Sequence, residues 1–157
     1  MYAATMAGIS FGNAGVHIPH AMSYSVAGMI RDYQPEGWPR DHAMCPHGIS
    51  VVADAPAAFR FTGASSPERH LRVLERLGTP VSDIAPEDAG TALADCFMAM
   101  MREAGIPNGL TDLGYTESDI PGLVEGAYRQ QRLLTLAPRD VEKHHLESLY
   151  RDAMRYW

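Results

Sequence analysis

The sequence predicts an all-α fold, a single helical domain spanning residues 1–157. No segment shows the sustained alternation of apolar and polar side chains that marks a half-buried strand. Proline recurs where helices are expected to begin, a position at which its missing N–H would have no intrahelical partner. Several segments repeat apolar residues at helical spacing. We therefore expect about six or seven helices, packed around a central helix that begins at His47.

The first half of the chain predicts three helices and one long loop. Residues 1–10 favour a helix but offer no N-capping side chain. A second helix is expected from about Pro19 to Val26, and residues 29–45 are interpreted as a packed loop rich in proline, charge and aromatics. The central helix then runs through ISVVADAPAAF, and Pro56 is expected to end or kink it.

Four further helices are expected in the second half. Their starts carry proline or a capping pattern, and most of their ends carry glycine. In order, they run from the capped start Ser66-Pro67-Glu68 to Gly78, from Pro86 to Gly105, from the capping box of Thr116 and Asp119 through Tyr128, and from Pro138 to Tyr156.

Composition limits the function classes. A net charge of −6, with Lys143 as the one lysine, argues against a nucleic-acid partner. No apolar run approaches the roughly 20 residues that span a bilayer, so we expect no membrane partner. The two cysteines, Cys45 and Cys96, fit a reducing compartment. We expect a cytoplasmic protein, or a mitochondrial matrix protein if the source is eukaryotic.

Four of the seven histidines lie between Gly12 and Gly48. His20 follows Pro19 and His47 follows Pro46, so both imidazoles stand where helices begin. Imidazoles presented from two helices can form half of a metal site, although no Asp or Glu at helical spacing accompanies either one. The alternative is a pair of helix-start histidines without metal. The other two, His17 and His42, are interpreted as a turn histidine and a loop histidine without a site role.

Several motifs together resemble the iron-dependent (group III) alcohol dehydrogenases. HAMSYSVAG is followed by PHGISVV, and the likeness continues through PAAFRFT, SPERHL, LGYTESDIPGLVEGAY and LAP. The segment GNAGVHIPH and the long loop after it are most similar to the hydroxyacid–oxoacid transhydrogenase branch. The resemblance implies the C-terminal helical domain of the dehydroquinate synthase-like, iron-dependent alcohol dehydrogenase fold.

The resemblance also implies a metal, usually Fe²⁺ and sometimes Zn²⁺, held by an Asp and three His. Two of those ligands map onto His20 and His47. The other two, together with the NAD(P)-binding residues, belong to an N-terminal nucleotide-binding domain that would precede Met1. We therefore expect this chain to contain no cofactor-binding residues, and to be inactive by itself.

The implied reaction transfers hydride from an alcohol or hydroxyacid, such as 4-hydroxybutyrate, to nicotinamide or to a 2-oxoacid such as 2-oxoglutarate. Tyr24 occupies the position at which many family members carry a second histidine near the substrate, so it is a weak candidate for substrate contact. A carboxylate substrate calls for a cation, and Arg31, Arg40 and Arg60 are unranked candidates.

Three functions stay open on the sequence. The chain can be the metal-binding half of an oxidoreductase that works with a separate nucleotide-binding half. It can instead be a non-catalytic remnant that self-associates as a homodimer through an exposed apolar patch. The third is a metal-binding module that completes its own ligand set with His17, His42 or a second chain.

Overall fold

The computed structural model describes residues 1–38 and 41–157, and these residues form helices and connecting loops without a strand. The all-α prediction is confirmed. The helices are α1 (Tyr2–Ala14), α2 (Ile18–Gly28), α3 (His47–Gly63), α4 (Pro67–Arg76), α5 (Ala89–Glu103), α6 (Ile120–Tyr128), α7 (Gln131–Leu134) and α8 (Lys143–Ala153). Three-residue 3₁₀ turns at Pro86–Asp88, Thr111–Leu113 and Glu117–Asp119 precede or connect them.

Helix α3 is the centre of the packing, as predicted, and it contacts α2, α5 and α8. Its middle residues Ala53 and Ala57 are buried, and the core around them takes its large side chains from α2, α6 and α8. The close approach of α3 and α5 depends on Gly63 and Gly90. A Cβ on Gly63 would lie 2.5 Å from the Gly90 Cα atom, so neither position can carry a side chain at this separation.

Pro56 does not end α3, which continues to Gly63, so that part of the expectation is wrong. A proline removes one N–H from a helix and disturbs the bonds beside it. Here the hydroxyl of Tyr156 donates to the Ala53 carbonyl oxygen at 2.8 Å and accepts from the Ala57 N–H at 3.4 Å. These two groups would bond to each other in an uninterrupted helix, so the tyrosine bridges the site that the proline disturbs.

Capping interactions set the start of two other helices. The Thr116–Asp119 capping box is present as predicted, and α6 follows it. The last helix begins at Lys143 rather than at Pro138, because Glu142 and His145 cap each other there. The Glu142 N–H donates to the His145 Nδ1 atom at 3.1 Å.

Helix α1 differs from the other long helices because none of its residues is buried. It extends to Ala14, four residues beyond the predicted segment, and ends at Gly15, whose φ of 75° suits glycine. Met6, Ile9 and Phe11 are each about half exposed. No helix in the described residues is both long and apolar enough to cross a membrane.

Candidate metal centre

The structure brings the two predicted ligand histidines together. His20 lies in the first turn of α2 and His47 is the first residue of α3, and their ring centroids are 5.3 Å apart in an edge-to-face arrangement. Pro19 and Pro46 start the two helices, as their sequence positions predicted. The packing of α2 against α3 therefore places both imidazoles on one surface.

The surroundings of His20 keep its ring neutral. Partial burial lowers the pKa of His20, and the nearby His47 and His17 rings lower it further. Neutral imidazole is the form that coordinates a metal. No side chain or backbone group in residues 1–38 and 41–157 hydrogen-bonds to the His20 or His47 ring, so their ring nitrogens are available to a ligand from outside these residues.

The two rings do not acquire a third ligand from the described part of the chain. Within it, no group of three or more His, Cys, Asp or Glu side chains is placed to hold a metal ion. A catalytic metal usually takes three protein ligands and one open position. The geometry is therefore that of half a site, and the assignment of His20 and His47 as ligands stays a prediction.

An open, mostly apolar groove adjoins the two histidines. It runs between the end of α1, the start of α2 and one side of α3, and α5 contributes one aromatic side chain. An apolar wall of this kind lowers the local dielectric and strengthens polar contacts made at its edge. The apolar lining residues are Phe11, Val16, Pro19, Val51, Val52, Ala55, Phe59 and Phe97.

His17 was interpreted from the sequence as a turn histidine without a site role, but it also lines this groove. It is the N-cap residue of α2, and its Nδ1 atom is buried without a hydrogen-bond partner in the described residues. Burial lowers the pKa of His17, and repulsion from His70 adds to the shift.

His42 lies elsewhere, in the exposed loop, with its Nδ1 atom 2.8 Å from Asp41. The hypothesis that His17, His42 or a second chain completes the ligand set stays a prediction.

Tyr24 lies on α2 one turn after His20 and is 48% exposed. Residues four apart on a helix share a face, so Tyr24 lies on the same face of α2 as His20, and its contact with a substrate stays a prediction. The Arg132 guanidinium donates to the Tyr24 hydroxyl oxygen at 3.3 Å. Sequence reasoning missed Arg132, because only the tertiary packing of α7 on α2 brings it to this surface.

The arginines that the sequence offered as carboxylate receptors are engaged elsewhere. Arg31 makes a two-pronged contact with Asp119, at 2.7 and 3.0 Å, and this contact lowers the pKa of Asp119 well below its usual range. Arg60 pairs with Asp152 at 3.1 Å and lies 4.0 Å from Asp95. The third candidate, Arg40, lies outside the described residues.

A buried acid in α3 was also missed. Asp54 is completely buried, and neither carboxyl oxygen has a hydrogen-bond partner in the described residues. Burial raises the pKa of Asp54 well above its usual value, because desolvation favours the uncharged, protonated form. The signal was visible as one acid within the apolar run SVVADAPAAF. Nothing in the structure explains why an acid occupies this position.

Comparison with known proteins identifies the family. Residues 1–154 match the model of the Fe-containing alcohol dehydrogenase family, C-terminal. The chain therefore belongs to the Fe-containing alcohol dehydrogenases, and the resemblance read from its motifs is confirmed.

The curated relatives place it near one branch. It is 44% identical over 155 residues to the probable mitochondrial hydroxyacid-oxoacid transhydrogenase of Dictyostelium discoideum, covering 98% of this chain and 28% of the relative. The mitochondrial hydroxyacid-oxoacid transhydrogenase of Homo sapiens is 40% identical over 155 residues, covering 99% of this chain and 33% of the relative. The chain thus spans about a third of the length of the curated relatives it matches.

Solved structures agree on the fold. A crystal structure of 1,3-propanediol oxidoreductase superposes with a TM-score of 0.81 at 26% identity, covering 97% of this chain and 36% of that one. An alcohol dehydrogenase from Oenococcus oeni superposes with a TM-score of 0.79 at 22% identity, covering 94% and 35%, and shows the fold alone.

Proposed function

We propose that this chain is the metal-binding helical half of an oxidoreductase of the hydroxyacid–oxoacid transhydrogenase type, with His20 and His47 as two ligands of a catalytic Fe²⁺ or Zn²⁺. The single observation that carries the proposal is the 5.3 Å separation of the two imidazole rings, presented by the first turns of two packed helices. Family membership supports a ligand pair in preference to a coincidence of packing.

The residues present fit a divalent metal of this kind. Imidazole nitrogen suits both Fe²⁺ and Zn²⁺. The depressed pKa of His20 favours the coordinating form, and no described group competes for the nitrogens of either ring. Two further ligands are required, and we assign them, an Asp and a His by family resemblance, to the nucleotide-binding half that also holds NAD(P).

The chain's own residues prepare the site in three ways. When bound, the metal would supply Lewis acidity that favours loss of a proton from a substrate hydroxyl. His20 and His47 would hold and orient it through helix starts fixed by proline. The apolar side chains of the groove, among them Phe59 and Val52, would exclude water from the neighbouring surface. Tyr24 would contact the substrate by hydrogen bonding through its hydroxyl group.

The substrates proposed are a hydroxyacid or alcohol as hydride donor and nicotinamide or a 2-oxoacid as acceptor. The curated relatives carry the names of mitochondrial transhydrogenases, and we propose the mitochondrial matrix as the location if the source is eukaryotic, and the cytoplasm otherwise.

The experiment that tests the proposal combines metal content with reconstitution. The chain would be mixed with the nucleotide-binding half of a transhydrogenase relative and Fe²⁺ or Zn²⁺, and the complex analysed by elemental mass spectrometry and a hydride-transfer assay. We expect about one metal per complex and measurable turnover. Both should be lost in the His20→Ala, His47→Ala double variant and kept in a His42→Ala, His144→Ala control. Equal metal content in both variants would overturn the ligand assignment.

A second candidate function is favoured by α1. Its exposed Tyr2, Met6 and Ile9 lie on one side of a helix with no buried residue and form an uncovered apolar face, and this face is suited to self-association with a second copy of the chain. Light scattering after size exclusion tests this. A homodimer that a Met6→Ser, Ile9→Ser variant dissociates, while Val73→Ser on α4 leaves it intact, would support self-association. A monomer at all concentrations would eliminate it.

A further inference from the structure

Helix α7 places a cation beside the candidate metal centre. Arg132 lies on this short helix, which packs on α2, and its Nη2 atom is 3.3 Å from the Tyr24 hydroxyl oxygen. Tyr24 and His20 lie one turn apart on the same face of α2. Through Tyr24, the Arg132 guanidinium is therefore linked to the face of α2 that carries His20.

The charge of Arg132 is not neutralised by its surroundings. No carboxylate in residues 1–38 or 41–157 lies within 4.0 Å of it. In contrast, Arg31 and Arg60, the two described candidates from the sequence, are held by acids. Among the arginines considered for carboxylate binding, Arg132 combines a position at the site with a charge that is open to a ligand.

The segment that carries Arg132 is fixed against the site at a second point. Further along this segment, Leu136 packs directly against Gly15. A Cβ atom at position 15 would lie 2.5 Å from the Leu136 Cδ1 atom, so a larger residue there would clash with the leucine. Gly15 immediately precedes the turn into α2. The segment from Arg132 to Leu136 therefore follows α2 from Tyr24 back towards its start and forms one side of the surface on which His20 stands.

The hydrogen-bonding capacity of the pair suits a carboxylate. The Tyr24 hydroxyl accepts one hydrogen bond from Arg132, which leaves its own proton to donate. The guanidinium keeps further N–H donors, and a planar fork of this kind matches the two oxygens of a carboxylate. Both side chains are exposed, so a ligand can reach them.

The geometry points to Arg132 and Tyr24 as the subsite that binds the carboxylate of the substrate, with the hydroxyl end directed to His20 and His47. This inference rests on the proposed function, because the substrate's hydroxyl end is placed by the metal ligands. The Arg132 charge recognises a carboxylate on the substrate, which a neutral alcohol lacks. Arg132 thus acts as a specificity residue, and Tyr24 also positions its guanidinium.

Binding of two probes that differ in the carboxylate tests the subsite. 4-Hydroxybutyrate and its neutral counterpart 1,4-butanediol would be titrated into the ¹⁵N-labelled chain and followed by NMR, with and without Zn²⁺. We expect the acid to shift resonances of Arg132 and Tyr24 and to bind more tightly than the diol. Arg132→Gln should weaken binding of the acid about tenfold, the lower range for a charge-assisted bond because the pair is exposed. Tyr24→Phe should weaken it about threefold.

Matched controls keep the result specific. Arg129→Gln removes an exposed arginine three residues away and should leave the affinity for the acid unchanged, and no variant should alter binding of the diol. Equal affinity of the acid for the wild-type chain and Arg132→Gln overturns the inference, as does a wild-type chain that binds acid and diol alike.

Metal uptake, measured on the same samples, separates this inference from the proposed function. If Zn²⁺ binds at His20 and His47 while Arg132→Gln has no effect, the subsite alone is wrong. If Zn²⁺ binds neither this chain nor its complex with the nucleotide-binding half of a relative, the proposed function fails, and the metal-free titration still decides the role of Arg132, because the carboxylate contact does not involve the metal.

Discussion

Helices α2 and α3 each contain two kinds of surface. In the later turns, tyrosine hydroxyls from distant parts of the chain bond to backbone carbonyls: Tyr150 to Met22, Tyr115 to Val26, and Tyr156 to Ala53. In the first turns, the rings of His20 and His47 have no hydrogen-bond partner in the described residues. The later turns are completed by the chain itself, and the first turns present groups that only a ligand can complete.

This difference distinguishes residues that stabilise the fold from residues that are available to bind a ligand. Buried polar groups that are fully paired stabilise one packing arrangement, so changing them should cost free energy of unfolding. The imidazoles of the partly buried His20 and the exposed His47 have no such partners and contribute little to that free energy. If they are retained for a metal, their replacement should affect metal binding and leave the fold intact.

The largest effect is expected in the core. Leu146 is completely buried in α8, and Leu146→Ala should lower the free energy of unfolding by about 2–5 kcal/mol, because it removes buried apolar surface and leaves a cavity. Chemical denaturation followed by circular dichroism measures it. Leu77→Ala, at a position 42% exposed, is the control and should change stability by less than about 0.5 kcal/mol. Equal losses would contradict the assigned core.

A smaller loss is expected from one hydroxyl group. The Tyr150 hydroxyl is buried, donates to the Met22 carbonyl oxygen at 3.0 Å and lies 2.7 Å from the Ser25 hydroxyl oxygen. Tyr150→Phe should lower the free energy of unfolding by about 1–3 kcal/mol, because the ring is retained while buried polar atoms lose a partner. A loss below about 0.3 kcal/mol would show that the tyrosine contacts do not stabilise α2.

Asp54 is the exception within the well-paired region, and it predicts a pH dependence. Because burial raises its pKa in the folded state, the folded chain keeps a proton that the unfolded chain releases above about pH 4. The contribution of Asp54 to stability is therefore complete below pH 4 and decreases as pH rises, by about 1.4 kcal/mol per pH unit until the folded-state pKa is reached.

Asp54→Asn should remove this slope. The variant should match the wild type within about 1 kcal/mol at pH 4 and be more stable than it at pH 8. Denaturation midpoints across this range provide the measurement. Parallel pH profiles for the two proteins would mean that the Asp54 carboxylate is charged in the folded state and that surrounding groups compensate its charge.

The smallest effect is expected at the histidine pair. His20→Ala combined with His47→Ala should change the free energy of unfolding of the metal-free chain by less than about 0.5 kcal/mol, because both rings lack hydrogen-bond partners in the described residues. Thermal denaturation in the presence of a chelator checks this. A loss of 2 kcal/mol or more would assign the pair a structural role, since that is the range of a core substitution.

Local signals predicted most of the fold. Pro19, Pro46 and the Thr116–Asp119 capping box act within a few residues, so the helix starts they mark were readable from the sequence. The continuation of α3 past Pro56 was not, because the hydroxyl that bridges the helix there belongs to Tyr156, a hundred residues away in the chain.

In the candidate site too, residues marked by local sequence patterns were predicted, and a residue placed there by tertiary packing was missed. His20 and His47 were found from helix-start positions and family motifs, both of which are local patterns. Arg132 was missed because nothing around it in the sequence indicates that α7 lies beside Tyr24. Arg31 and Arg60 were proposed in its place, since a sequence does not show that Asp119 and Asp152 already bind them.

The central claim is that His20 and His47 coordinate one metal ion together. Titration with Zn²⁺ of the ¹⁵N-labelled chain, mixed with the nucleotide-binding half of a transhydrogenase relative and observed through the histidine ring nitrogens, tests it most directly. The account predicts that His20 and His47 shift in the same titration step, that His42 and His144 do not, and that His20→Ala removes the shift at His47. If His47 responds equally in the His20→Ala variant, or if neither ring responds, the two histidines are not a ligand pair.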